Sequence, residues 1–364
     1  MNINLTAPIN PLGYGVAGLN ILKSLVNSGH SVAYFPIGTP QPSAEDLEVI
    51  QKCIDLQQRF DSRAPSIKLW HQHDLAQHVG HGIKVGFPIF ELDTFTETEL
   101  HHLGAMDRIF VCSKWAKGIV EENLEAYSPD KSYFNEIDVR VVPLGVDRDI
   151  FYDLPAETTG RTVFLNIGKW EIRKGHDVLC KAFNDAFEPA DNVELWMMNH
   201  NPFLSEHALD EWTKMYKGSK LGNKVQILSR VERHEDVADI MRKADCGVFP
   251  SRGEGWNLEA LEMMSCGKQV IATDYSAHTE FCNEENCKLI PVSDKTEAYD
   301  GIWFKGQGMW ADIGNSETDC LIEHMRTVHK QNKEGKDIIN RAGIQTAARY
   351  SWKNTADSII RHVT

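Results

Sequence analysis

Short apolar runs separated by helical stretches recur along this chain, and that alternation restricts the fold more than any other feature. From Thr162 onward TVFLNIG, VELWMMN, VQILSR, CGVFPS, QVIATD and KLIPV read as strands. Helical patterns at 177–183, 204–217, 235–244 and 258–265 separate most of them. Strands that are apolar throughout are buried on both faces, which is the signature of parallel sheet covered by helices. An earlier series follows the same plan: NINLTAP, a turn at NPLGYG, and a helix from Val16 with an apolar face at Leu19, Leu22, Leu25 and Val26. Gly29 offers that helix its C-terminal stop, and SVAYFPIG, SIKLWH, IKVGFPIFE, RIFVCS and VRVVPLG supply further strands. Two series predict an α/β chain of two doubly wound Rossmann-like domains facing a cleft. The join near 148–160 sets the expected boundaries: residues 1–155, residues 156–340, and a C-terminal helical segment, 341–364, crossing back to the first domain.

A length of 364 residues fits two such domains. No apolar run approaches the roughly 18 residues of a membrane span, and MNINLTAPINPLG lacks the basic head and apolar centre of a secretory signal. We therefore expect a cytoplasmic protein. The eight cysteines contain no CxxC pair and read as reduced thiols. Net charge is −14, from 38 Lys and Arg against 52 Asp and Glu. Residues 1–150 hold 12 basic and 19 acidic side chains, so that half carries −7 and the remainder another −7. Neither half is basic, which argues against polyanion binding over a broad surface.

Three stretches carry candidate chemistry. Gly13-Tyr14-Gly15 follows the first strand, where a phosphate or sugar could approach a glycine backbone or the chain could simply turn tightly. The third glycine of a dinucleotide fingerprint is missing, and the second strand ends in Phe35-Pro36-Ile37-Gly38 instead of an acidic residue, so a nicotinamide site is not expected. GKWEIRKGHDVL places Lys169, Arg173 and Lys174 at the C-terminal end of a strand, where open α/β sheets bind ligands. SRGEGWNLEALEMMSCG, residues 251–267, sets Glu254 between Gly253 and Gly255 and opens a helix at Asn257 and Leu258. A glycine loop at a helix N-terminus suits an anion. Carboxylates there, at Glu254 and Glu262, suit hydroxyls, because each offers several acceptor sites. Glu259 reads as an ordinary solvated helix face.

Taken together, the Gly13–Gly15 loop, RIFVCSKWAKGIV, VRVVPLGVDRDIF, GKWEIRKG and the E-x7-E pair Glu254…Glu262 resemble the GT-B glycosyltransferases, in particular retaining family four. The resemblance runs over nearly the whole chain. It implies a donor nucleoside diphosphate sugar with no separate cofactor and no metal. It assigns the diphosphate to Lys169 and Lys174, the transferred sugar to Glu254 and the ribose to Glu262. Backbone at Gly255, Asn257 and Leu258 would meet the phosphates, Arg230 and Val231 the nucleobase, and Gly13 and Gly15 the donor from the first domain. Many relatives carry arginine where this chain has Lys169, which exchanges a fork for a point charge. Many also carry histidine after the strand IKVGFPIFELD, where this chain has Glu91 and Asp93. Glu91 is then a candidate for electrostatic or acceptor contact, with Asp93, His73 and Asp74 on the acceptor side. The expected acceptor is a glycan or a small hydroxylated molecule. Alternatives are a DNA-modifying transferase acting on a hydroxylated base and a non-catalytic nucleotide- or glycan-binding module of the same fold.

Overall fold

The structure is a computed structural model, and it describes residues 1–128, 137–154, 160–336 and 338–364. The expected boundary at 155/156 lies outside the described residues. Two compact units emerge: Met1–Gly145 with Tyr350–Thr364, and Val146–Arg349.

In the first unit β1 (Asn2–Ala7), α1 (Gly13–Asn27), β2 (Ser31–Pro36), α2 (Leu47–Asp55), β3 (Ser66–Lys68), β4 (Lys84–Gly86), α3 (Glu97–Gly104), β5 (Arg108–Val111), α4 (Lys114–Tyr127) and β6 (Asp138–Val141) build one parallel sheet. Its order is β2-β1-β3-β4-β5-β6. Helix α3 starts at a capping box, with Thr96 and Glu99 each satisfying the other's backbone N–H, and Ser113 caps α4. Two expectations are corrected here. Gly13-Tyr14-Gly15 is not a loop but the first turn of α1, because the Leu12 carbonyl already accepts from Val16 N–H at 2.9 Å. Gly15 is small for a local reason: a Cβ there would lie 2.2 Å from the Asn10 carbonyl oxygen. The run IKVGFPIFE yields strand only over β4, since Pro88 has no N–H to give a ladder. The Tyr14 hydroxyl bonds both the N–H and the carbonyl of Ile89, at 2.7 and 2.8 Å.

The second unit holds β7 (Thr162–Gly168), α5 (His176–Ala186), β8 (Val193–Asn199), α6 (Glu206–Lys217), β9 (Val225–Ile227), α7 (His234–Lys243), β10 (Cys246–Phe249), α8 (Leu258–Ser265), β11 (Gln269–Thr273), α9 (His278–Phe281) and β12 (Lys288–Ile290). Its parallel sheet runs β12-β11-β10-β7-β8-β9. Six of the seven residues of β7 are buried, as a central strand covered on both faces requires. Phe164, Leu179, Phe183, Leu195, Val248 and Met325 belong to its main core. A hairpin of β13 (Lys295–Tyr299) and β14 (Lys305–Ala311) follows, which strand-by-strand reading did not anticipate. Then come α10 (Asn315–Lys333), α11 (Arg341–Arg349) and α12 (Trp352–Val363). The expected C-terminal segment is thus two helices. α11 packs on α8, whereas α12 packs on α1, with Thr355 Oγ1 donating to the Pro143 carbonyl at 2.8 Å.

Seven of the cysteines are fully buried, Cys320 is half-buried, and all eight are free thiols. Among the described residues, no helix is long and apolar enough to cross a membrane.

Two imidazoles, the buried His176 and the half-buried His78, give the fold a pH signature. Burial pushes His176 down to about 3, helped by Lys174, and pushes His78 down to about 4, helped by Lys68 and Lys84. Their folded values lie below the unfolded one near 6.5, so the stability they supply is complete above that pH and drains as pH falls towards 4 and then 3. Between pH 6.5 and 5 each unpaired proton costs about 2 kcal/mol, or several degrees of Tm. Calorimetry across that window should show the loss, and His78→Gln should flatten the first unit's share. A Tm that stays level from pH 7 to 5 in both proteins would refute the assignment.

Candidate active site

The carboxyl edge of the second sheet gathers the charged residues. After β7 the chain turns through GKWEIRKG, and Gly175 adopts φ 71° just before α5, where a Cβ would lie 2.0 Å from the Pro250 carbonyl. That close approach locks the β7–α5 loop against the loop after β10. A charge network joins them. Arg173 is buried, its guanidinium bridging Glu171 at 2.7 Å and Glu254 at 3.0 Å while donating to the Gly253 carbonyl at 2.7 Å. Lys174 Nζ lies 2.8 Å from the other Glu254 oxygen, which also accepts from Ser251 Oγ at 2.7 Å. Lys169, more exposed, pairs with Glu171 at 2.7 Å. Three cations thus meet two carboxylates in direct ion pairs.

The electrostatics follow from this packing. Burial alone would raise the Glu254 carboxyl, but Lys174 and Arg173 outweigh it and hold the group far below the usual carboxylate range. Burial opposes the charge of Lys174 too, and Glu254 with Glu259 reverses that, raising it. Glu259 is therefore nearer the cluster than a solvated helix face: it is half-buried and felt by both Lys174 and Glu262.

Helix α8 begins beside this network. Asn257 sits at φ 81° and caps the helix by accepting from Ala260 N–H at 3.1 Å. Its amide donates to His278 Nε2 at 2.8 Å, and His278 Nδ1 lies 3.0 Å from the Thr273 carbonyl, which fixes the tautomer with the proton on Nδ1. Ser276 Oγ accepts from Glu254 N–H at 2.9 Å. The cap satisfies Ala260, and the N–H groups of Leu258 and Glu259 remain directed along the helix start, where the dipole favours an anion. Glu262 projects one turn on. Its carboxyl is buried, has no hydrogen-bonding or ionic partner among the described residues, and is pushed well above the usual range by burial, then by Glu259.

The structure thus brings together Lys169, Lys174, Glu254, Gly255, Asn257, Leu258 and Glu262. Arg230 is exposed and Val231 half-buried just beyond β9. In the first unit Gly13 is open, with nothing within 4 Å of a Cβ, while Gly15 is packed on Asn10. Glu91 lies close enough to Tyr14 to act on its hydroxyl, and Tyr14 in turn packs on His71, which stacks on His73 at 5.5 Å. Asp74 pairs with the buried Lys68 at 3.3 Å, and Asp93 accepts through its carbonyl from Asn123 at 3.0 Å. Among the described residues no three His, Cys, Asp or Glu side chains converge as metal ligands. Sequence reasoning missed Glu171, Ser251, Ser276 and His278. Glu171 stood inside a quoted motif, and its alternation with three cations was the available signal.

Residues 161–303, the segment that builds this edge, match the family model described as Glycosyl transferases group 1. The chain is similar to the glycosyltransferases of that group. An uncharacterized glycosyltransferase of Methanocaldococcus jannaschii is 29% identical over 170 residues, 46% of this chain and 40% of that one. The GDP-mannose:cellobiosyl-diphosphopolyprenol alpha-mannosyltransferase of Xanthomonas oryzae pv. oryzae is 30% identical over 160 residues, 44% of this chain and 41% of that one. The matches span about two fifths of these curated relatives' length. Among solved structures, sucrose-phosphate synthase from Thermosynechococcus elongatus shares the fold with TM-score 0.66 at 17% identity, covering 100% of this chain and 98% of that one. Anabaena HepE, solved with UDP-glucose, gives TM-score 0.66 at 16% identity, covering 100% and 99%. The two-sheet α/β architecture is that of the GT-B glycosyltransferases.

Proposed function

We propose that this chain is a glycosyltransferase that binds a nucleoside diphosphate sugar at the carboxyl edge of its second sheet and transfers the sugar to a hydroxyl. One observation carries the reading. A cluster of three cations stands beside the N-terminus of α8, and one turn along that helix a buried carboxyl waits without a partner among the described residues. The first part is a diphosphate receptor. The second is an acceptor for paired ribose hydroxyls, which would supply hydrogen bonds that no side chain or backbone group among the described residues gives it. Anabaena HepE is solved in complex with UDP-glucose and the mannosyltransferase is named for GDP-mannose, which supports a nucleotide donor of this kind.

In the reaction, negative charge grows on the leaving diphosphate. Lys174 and Lys169 face that charge, and the α8 N–H groups add to them without reorganising. Glu254 keeps the cations in place through Arg173 and Lys174, and its Lys174-bound oxygen is the one positioned to accept a sugar hydroxyl once the lysine turns to phosphate. We read the transfer as retaining, with the acceptor attacking the face the diphosphate leaves and a phosphate oxygen taking its proton. The acceptor is read as a glycan or small hydroxylated molecule, since the first half of the chain carries −7 and a duplex-binding surface would concentrate Lys and Arg.

A thermal-shift screen with UDP, GDP, UDP-glucose and GDP-mannose tests the donor reading. Binding to the native state alone at a hundred times Kd adds about 2.7 kcal/mol of stability. A nucleotide sugar that raises Tm and is slowly hydrolysed supports an enzyme. A Tm rise with no turnover of any kind points to the binding-module alternative. Because the cations occupy the diphosphate position, turnover should also persist in excess EDTA. Loss under EDTA that manganese restores would overturn that part. Transfer to DNA containing hydroxymethylated cytosine, with strong salt dependence, would favour the DNA-modifying alternative.

A further inference from the structure

The hairpin β13–β14 and the loop after β8 both present large apolar side chains to water in the second unit. Tyr299 is 64% exposed, Ile302 52% and Trp303 44%, and Phe203 from the loop after β8 is 57% exposed. Isolated exposed apolar residues need no explanation, but two exposed aromatic rings in contact, Phe203 and Trp303, do. The group is held in shape. Asp300 Oδ1 accepts from the N–H groups of Ile302, Trp303 and Phe304 at 2.8, 2.8 and 2.9 Å. Phe304 then packs on buried Trp310, with ring centroids 5.2 Å apart, which roots the tip in the fold. One carboxylate thus ties down three backbone donors in a turn whose effect is to keep Ile302 and Trp303 in water.

The position of the hairpin connects it to the donor edge. At its base Ala311 N–H donates to the Arg252 carbonyl at 2.8 Å, in the loop that carries Glu254. At its tip Trp303 meets Phe203 edge to face at 5.9 Å and 78°. Phe203 lies under Lys169, whose Nζ is 5.9 Å from the ring centre. In the sheet β7 lies between β10 and β8, so the hairpin reaches from the loop after β10 to the loop after β8 across the end of β7. It crosses the edge where the cations stand.

We propose that Phe203 and Trp303 form a ring-stacking subsite for a pyranose, one ring away from the phosphate position marked by Lys169. This rests on the donor reading of Lys169. Aromatic faces receive the apolar face of a sugar ring, and two rings set edge to face make a corner that fixes its tilt. A lipid surface fits less well. The patch and its flank set Lys169, Lys295 and Lys305 against Asp294, Glu297 and Asp300, so no excess of basic charge attracts anionic headgroups. The pyranose is either the donor's transferred sugar or a ring of the acceptor.

The test compares wild type, Phe203→Ala and Trp303→Ala, with Leu47→Ala as an exposed control in the first unit. All four should unfold at similar temperatures, since the altered side chains are exposed. Calorimetric Kd values for UDP and UDP-glucose, or GDP and GDP-mannose, read the donor. A printed oligosaccharide array read with the protein loaded with the same nucleoside diphosphate reads the acceptor. Loss of about tenfold in affinity for the nucleotide sugar, with the bare diphosphate unchanged, establishes stacking on the donor sugar. An unchanged donor with loss of array binding establishes stacking on the acceptor ring. Equal loss for UDP and UDP-glucose would mean the rings stack on the base and overturn the proposal. So would wild-type affinity in every arm, or flotation with phosphatidylcholine vesicles that Trp303→Ala abolishes. If no nucleotide binds wild type, the donor reading fails, and the subsite placed beside it falls unless the array, probed with nucleotide-free protein, still separates the variants.

Discussion

Lys174→Ala is expected to lower kcat/KM by at least a hundredfold, with the larger part in kcat. The side chain is buried, so its charge acts in a medium where removing one preorganised donor from a developing anion costs about a hundred- to a thousandfold. Lys169→Ala should act in the same direction and more weakly, because that lysine is more exposed and shares its charge with Glu171. The two differ in a second way. Lys174 also neutralises Glu254, which Arg173 would then hold alone, so Lys174→Ala should lower Tm by a few degrees while Lys169→Ala leaves it unchanged. Glu254→Gln completes the series: it removes the anion under two cations, and both turnover and Tm should fall. Steady-state kinetics with the best donor from the thermal-shift screen, and calorimetry of each protein, read these values. Normal kcat/KM in folded Lys174→Ala would remove the diphosphate from this position.

The fold was legible because its strands are buried on both sides. TVFLNIG and VELWMMN became β7 and β8 residue for residue, since runs this short and apolar, bounded by turn signals, suit covered parallel strands. Helix α8 was equally legible, from Asn257 through Ser265, because cap and apolar face agree. What failed was local chemistry that one residue decides. Leu12 supplies the first helical carbonyl, so Gly13–Gly15 became helix, and Pro88 ended a strand early. The hairpin escaped because its strands, KTEAY and KGQGMWA, are mostly exposed and carry no apolar run. In the candidate site the cations were visible as letters, but their arrangement was not. No spacing says that Arg173 is spent on Glu171 and Glu254, or that Glu254 enters the site already paired. Such facts depend on two loops meeting, at Gly175 and Pro250, from segments 75 residues apart.

Glu262→Gln is expected to move stability and binding in opposite directions. The buried carboxyl lacks a partner among the described residues, and its folded pKa lies above the unfolded value near 4.5. Sign follows from that order. Below about pH 4.5 both states are protonated and the group is neutral in its effect. As pH rises, the unfolded chain ionises first, so the native state loses stability until the folded pKa is passed. Glutamine cannot ionise, so the variant should match wild type near pH 4.5 and exceed its Tm increasingly towards pH 8. A group that destabilises its own fold at working pH fits a ligand-facing role, the usual trade between stability and function. Ribose hydroxyls donating to the carboxylate are that ligand in the present reading, and hydrogen bonds to a charged group contribute about 1.5–3 kcal/mol. Glu262→Gln should therefore weaken nucleoside diphosphate binding by about ten- to a hundredfold, with kcat at saturating donor nearly unchanged, because ribose contacts are the same in ground and transition states. Glu259→Ala provides the contrast on the same helix: half-buried and close to Lys174, it should change both quantities by less than Glu262→Gln does. Calorimetry from pH 5 to 8 and nucleotide titrations of the three proteins measure both arms. A Glu262→Gln protein that binds the nucleotide as tightly as wild type would take the ribose away from this carboxylate, whatever its Tm.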